Sequence, residues 1–493
     1  MRVLCLLIGV TLILPPRVNA DSGPPPEKPP APLNPVEQRI VDELDRMRPE
    51  LVGINQDIWN YAELGLEEHR SSARLIEVLE KNGFRVTKGV ADMPTAFVAE
   101  YGSGGPVVGI LAEYDALPDL SQQVTPDKRP VAERTTGHGC GHSALGTAAV
   151  GAAIALRKAM ETEGVRGTIR VYGTPAEETV IGKVYMTLAG CFDDLDVCLH
   201  WHPDTKNRVR YERTKAIISV KFTFTGLPAH SSASPHKGRS ALDAVELTNI
   251  GVNYMREHIE ETSRIHYVIT QGGGAPNVVP ASAQVWYFIR ANTHEMAEYQ
   301  FEWVKDIAES AAKMTRTKLA IAIDTDCHEV IPNLPLSKLL DKHFQRIGPP
   351  KFTAADVEFA RGLQEPLRAD FGLTDKKHLH DELERLPSEP YPADGGSTDV
   401  GDVSWHVPTS GLGTACFAAG SPGHSWQNVA AIGSPIGHQG MMTAAKVLAI
   451  SAADLLQNPE LVEAAKKDFQ ERMSQRKYTT KIPPGQKAPK AIR

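Results

Sequence analysis

Four short stretches of this sequence bring together side chains that bind metals or move protons. "GHGCGH" (Gly137–His142) sets a thiol at Cys140 and an imidazole at His142 two residues apart. "PAEET" supplies adjacent Glu177 and Glu178, "LHWHP" supplies His200 and His202, and "SPGHSW" supplies His424. Cysteine, histidine and carboxylate are the ligand types of zinc and manganese sites, and five or more of them suffice for two ions with one ligand shared. Taken singly, a histidine after a strand is more often a structural hydrogen-bonding residue, and paired glutamates are usually a solvated loop. Their occurrence together at four apolar-run ends is what points to a metal site. A nucleotide loop is the rival reading, because Gly139, Gly141 and Ala144 satisfy G-x-G-x-x-[GA]. That fingerprint must follow an apolar strand, and the preceding "DKRPVAERTT" is charged and irregular.

The elements that must position these residues are legible as apolar runs. "VVGILA" leads into "EYDALP", "TIRVYG" into "TPAEET", "DLDVCL" into "HWHP", and "GLGTACFAAG" into "SPGHSW". A helical stretch follows the cysteine in "SALGTAAVGAAIALRKAM". Continuous apolar strands alternating with helices predict an α/β fold with a mostly parallel sheet covered on both faces. In such sheets the ligand crevice lies beyond the strand ends, where these residues fall. The stretch from 216 to 329 reads differently. "IISVKFTFT" alternates, with Ile218, Val220, Phe222 and Phe224 on one face, and the order that follows is βαββαβ, the ferredoxin-like pattern. The expected layout is a catalytic domain over 36–215 and 330–460, interrupted by a smaller α+β domain at 216–329.

The ends of the chain carry different signals. Arg2, the apolar run Val3–Leu14 and "VNA" ending at Ala20 predict a secretory signal peptide over 1–20, hence export to the periplasm or the outside. A proline-rich leader over 21–35 follows. From Lys466 to Arg493 the chain has nine Lys or Arg against two acids, predicting a solvated basic tail. A net charge of −7 argues against a nucleic-acid partner, and no stretch reads as transmembrane. Without the leader five cysteines remain, an odd and sparse set that is not a disulfide framework.

"GHGCGH", "TPAEE", "LHWHP" and "GHSW", with "AEYDALP" upstream, resemble the metal-dependent amidohydrolases related to aminoacylase and glutamate carboxypeptidase. The likeness covers roughly residues 35–455 and also runs through "GGGAPNVVP" and "GGSTDVGDVSWHVPT"; it is nearest the branch that holds the B subunit of aminobenzoyl-glutamate hydrolase. The resemblance implies two divalent metal ions, manganese or zinc, and an inserted domain used for dimerisation and lid closure. It implies Cys140 as the bridging ligand, with His142, Glu178, His200 and His424 completing the shells and Glu177 as general base. His202 competes with His200, and the family pattern favours the first. Asp115 would orient a ligand. Glu113, where many relatives have Asp, is given no role, and Ser143 departs from the Asp or Asn common there.

Amide hydrolysis needs a nucleophile at neutral pH, a proton shuttle and donors for a developing oxyanion. The resemblance makes His230 the oxyanion donor, reaching a neighbouring subunit's site, and makes Asn277 and Arg290 the groups for a substrate carboxylate; a surface arginine is the plainer reading of Arg290. His236, His406 and His438 are read as structural. The expected reaction is cleavage of an N-acyl or N-aroyl amino acid, p-aminobenzoyl-glutamate first, by a homodimer or together with a related partner chain. The alternatives are a dipeptidase or a non-catalytic metal-carrying binding protein.

Overall fold

The structure, a computed structural model, describes residues 31–393 and 395–490; the expected signal peptide and most of the proline-rich leader lie outside the described residues. Helix α1 (Pro35–Tyr61) opens with Asn34 and Glu37 bonding reciprocally across its first turn. Its Ile40, Leu44, Leu51, Ile54 and Ile58, spaced to share one helical face, are completely buried. Then come α2 (His69–Lys81), β1 (Arg85–Lys88), β2 (Phe97–Ser103), β3 (Val107–Ala112), α3 (His142–Glu163), β4 (Gly167–Gly173), α4 (Gly182–Leu188), β5 (Val197–Asp204) and the short β6 (Arg208–Val209). The inserted unit is β7 (Ala216–Thr225), α5 (Ala241–Met255), β8 (Arg264–Gln271), β9 (Ser282–Ala291), α6 (His294–Thr315) and β10 (Lys318–Cys327). The chain returns with α7 (Leu334–Ile347), α8 (Ala354–Phe371), α9 (Val400–Ser404), β11 (Thr409–Ala415), α10 (Trp426–Ile432), α11 (Pro435–Gln457) and α12 (Pro459–Met473).

The large sheet has the order β1-β2-β4-β3-β5-β11-β6. Its centre, β4-β3-β5-β11, is parallel, and antiparallel strands close both edges. Alternate residues of each central strand face opposite layers: Leu199 and Trp201 pack with α1, α3 and α11, whereas Cys198 packs with α4 and α9. His200 and His202 share the parity of Cys198 and so face the α4 side. Helix α3 is alanine-rich and buried nearly all round, which suits a helix inside a layer rather than on it.

The inserted sheet is antiparallel with the order β10-β7-β9-β8, the ferredoxin-like arrangement, and α5 and α6 cover the face carrying Ile218, Val220, Phe222 and Phe224. The five cysteines of the described residues are free thiols. Among those residues no helix is long and apolar enough to cross a membrane.

The reading of 466–493 as a solvated tail is corrected. Its first part completes α12, and the described residues that follow, up to 490, run against α9, α6 and β10. Tyr478 stacks on His328 and donates to Asp402 at 2.7 Å, Lys481 pairs with Glu298 and Glu302 of α6, and Gln486 donates to the Ile323 carbonyl of β10. The positive charges that read as solvated find acids contributed by distant elements, and Ile482 is buried between them.

Candidate metal centre

Glycine lets the cysteine loop reach the sheet edge. Gly141 caps α3 with φ +81°, and a side chain there would press on Pro203 and Ile432. The loop is pinned from behind by His138, whose Nε2 lies 3.0 Å from the Ile58 carbonyl and therefore donates to it. Complete burial pushes the His138 pKa down to about 4. The unfolded chain takes up this proton near pH 6.5 while the fold resists it, so stability falls as pH drops through that window, by on the order of 3 kcal/mol. Urea unfolding at pH 7 and pH 4.5 tests this: His138→Gln should lose less stability on acidification than the natural protein. Equal losses would assign the acid sensitivity to other groups.

Three groups of donor atoms converge beyond the ends of β3, β4, β5 and β11. Cys140, His142 and His202 form one; Cys140, Glu178 and His424 form a second; Glu113, His142 and Glu177 form a third. Cys140 is common to the first two, which is the arrangement of a shared ligand between two ion positions. Asp115 organises the pair from below. Its Oδ1 lies 2.8 Å from His142 Nδ1, and its Oδ2 accepts from the Glu178 backbone N–H at 2.9 Å. That leaves His142 Nε2, Glu178 Oε1 and Glu113 Oε2 buried and without protein partners. Orphaned buried polar atoms are rare, and these three belong to separate donor groups that two cations would satisfy between them, so the residues fit a metal pair.

The thiol of Cys140 and the Glu178 carboxylate, 3.2 Å from Nε2, push the His424 pKa up to about 11, a proton that metal binding would release. Burial and then the Glu113 carboxylate hold Glu177 well above the usual carboxylate range.

The structure corrects the choice between the two histidines of "LHWHP". His202, not His200, joins Cys140 and His142. Nδ1 of His202 donates to the Pro203 carbonyl at 2.6 Å, leaving the Nε2 lone pair free. His200 sits two residues, roughly 6.6 Å, back along β5, its ring lying over Gly411 of β11, where a Cβ would come within 2.5 Å. It lines the cavity as a neutral imidazole, its pKa lowered to about 3 by burial. Glu113, given no role from sequence, stands among the donors; its only sequence signal is an acid directly ending an apolar run.

A cavity of about 360 Å³ opens beside the donors, and Arg290 lines it. The Arg290 guanidinium donates to Ser397 Oγ at 3.1 Å and keeps a buried Nε without a partner. Arg208 and Arg210 also line it but are paired with Asp204 and Glu212. His230 and Asn277 do not line this cavity; they lie together on exposed loops of the inserted unit, joined by Ser231 N–H to the Asn277 carbonyl at 3.0 Å. His230 Nδ1 accepts from the N–H groups of Ser232 and Ala233, so its Nε2 points outward as a donor.

Comparison with known proteins agrees with this geometry. A family profile described as a peptidase dimerisation domain matches residues 213–316. The chain is 38% identical over 469 residues to the B subunit of p-aminobenzoyl-glutamate hydrolase of Escherichia coli (strain K12), covering 90% of this chain and 97% of that one. It is 29% identical over 468 residues to Xaa-Arg dipeptidase of Mus musculus, covering 91% and 96%. Among solved structures, an aminobenzoyl-glutamate utilization protein from Klebsiella pneumoniae shares the fold with a TM-score of 0.59 at 18% identity, over 85% of this chain and 99% of that one. A dinuclear metal-binding peptidase of the M20 family from Bacillus subtilis gives 0.51 at 17% identity, over 82% and 98%. Fold and site together define a metal-dependent hydrolase of amide bonds. The chain belongs to the M20 family, on the branch that holds the B subunit of p-aminobenzoyl-glutamate hydrolase.

Proposed function

We propose that this protein hydrolyses the amide bond of an N-acyl or N-aroyl amino acid with an anionic amino-acid half, p-aminobenzoyl-glutamate being the first candidate. The observation that carries this reading is Cys140 shared between two donor groups, with Glu177 beside them and Arg290 across the same cavity. Bound manganese or zinc ions would supply a Lewis acid for the scissile carbonyl and a water of lowered pKa. Glu177 takes the water proton and returns it to the leaving amine. Arg290, braced by Ser397, offers its remaining fork to the substrate carboxylate. Arg208, Arg210, Arg213 and Arg290 all line the cavity, where the side chain of an Xaa-Arg dipeptide would add a further cation. This favours the acyl amino acid over the dipeptidase reading.

Homodimerisation fits the inserted unit. Its strand β8, at the sheet edge among the described residues, exposes Val268 and Ile269, and α5 exposes Ile250 and Tyr254, apolar side chains open to a partner. His230 and Asn277, remote from their own cavity, then serve a neighbouring subunit's site. A second, related chain is the other partner to test, since the B and A subunits of the Escherichia coli p-aminobenzoyl-glutamate hydrolase both resemble this chain. Export through residues 1–20 is part of the same proposal, checked by an N-terminus at Asp21 in the mature protein.

The test is release of p-aminobenzoate from p-aminobenzoyl-glutamate by purified protein with manganese or zinc, then with chelator. Chelator-sensitive release is expected. Faster turnover of Xaa-Arg dipeptides than of any acyl amino acid would replace this reading with the dipeptidase.

A further inference from the structure

Behind the donor groups lie three buried charges that the reaction described above does not use. Lys183, on the first turn of α4, is completely buried, as is Asp399, and Glu113 is 3% exposed. The lysine ammonium bridges the two carboxylates, reaching Glu113 Oε1 at 2.8 Å and Asp399 Oδ1 at 2.5 Å. Asp399 Oδ2 also accepts from the Lys183 backbone N–H at 2.8 Å, so the lysine is clamped at both ends. Glu113 is thereby held by one oxygen only. Its Oε2 is buried, has no hydrogen-bond partner among the described residues, and stands 3.4 Å from Nε2 of His142, which likewise has none.

With both carboxylates ionised, two of them sharing one ammonium leave a surplus negative charge away from water, on the side that faces His142. A buried ion cluster is a poor source of stability, since well-packed apolar side chains of similar volume usually serve as well or better. The surplus here is aimed, through a rigid carboxylate, at the atom of His142 that faces the metal pair. We propose that Glu113 is a donor to the ion that His142 binds, and that Lys183 with Asp399 is the positioning device that presents Glu113 Oε2 to it. The assignment rests on the reading of this site as a two-ion centre. It adds a hard oxygen donor at that position and biases it toward manganese over zinc.

The test is calorimetric titration of Mn²⁺, and separately of Zn²⁺, into the chelator-stripped full chain. The natural protein should take up two ions. Glu113→Gln is isosteric and still offers Lys183 an oxygen. It should weaken one Mn²⁺ site by at least about 10–100-fold, leave the other unchanged, and move the preference of the weakened site toward Zn²⁺. Lys183→Met should weaken the same site, and the double variant should bind no more weakly than Glu113→Gln, because the lysine acts only through that carboxylate. If Lys183→Met does not fold, Glu113→Gln alone decides the donor assignment. Folded Glu113→Gln binding two Mn²⁺ with natural affinity overturns the proposal. A double variant weaker than Glu113→Gln overturns the positioning role of Lys183. Fewer than two ions on the natural protein would instead remove the two-ion reading itself, a failure visible without any substitution.

Discussion

Glu177→Gln should give a folded protein that still takes up its ions and turns over about 10²–10⁴-fold more slowly. Glu177 sits on a short 3-10 turn, Glu177–Thr179, entered through Ala176 in the left-handed region, and Gly182 closes the far side because a Cβ there would collide with the Pro175 carbonyl. The turn, not the Glu177 carboxylate, sets the backbone, so the amide should adopt the same pose. The like charge of Glu113 is one cause of the raised Glu177 pKa, so a neutral side chain relieves repulsion and the variant should unfold no earlier than the natural protein. Steady-state kinetics beside a thermal melt and a metal assay decide it. Turnover near the natural rate would pass the proton transfer to Glu113 or Glu178.

Cys140→Ala should release both ions on dialysis, a larger loss than any other single ligand substitution. Cys140 is the donor common to the groups with His142 and His202 on one side and Glu178 and His424 on the other. Removing it also strips His424 of the neighbour that contributes most to its raised pKa. Asp115→Asn acts one step back, on the orientation of His142 and Glu178, and should cost about 10–100-fold in metal affinity. The natural protein should gain about 2.7 kcal/mol of stability per bound ion at an ion concentration a hundred times Kd, and Cys140→Ala should gain almost none. Two tightly retained ions in Cys140→Ala would take the thiol out of the centre.

The strands, the inserted βαββαβ unit and most of the donor set were legible because each is a local pattern: an apolar run ending in polar residues, or alternation over ten residues. What escaped the sequence depends on neighbours far along the chain. His200 and His202 share one face of β5, and which of them reaches the donors depends on register with β11, where His200 lies beside Gly411 and His202 beside Gly413. Glu113 gains its meaning from Lys183 and Asp399, which tertiary packing alone brings to it. The basic tail read as solvated because the acids that pair with it belong to α6 and the loop after β10.

Strand β11 lies between β5 and β6, although both of those are synthesised some two hundred residues earlier. Until β11 arrives the first half of the catalytic sheet has an open seam, and the contacts that close it span long loops, which slows folding and exposes an unpaired edge meanwhile. His424 follows β11 directly, so the second ion position exists only after the seam has closed. Uptake of the second ion during refolding therefore reports closure of the seam, and nascent chains halted before Thr409 should bind no more than the ion held by the earlier donors.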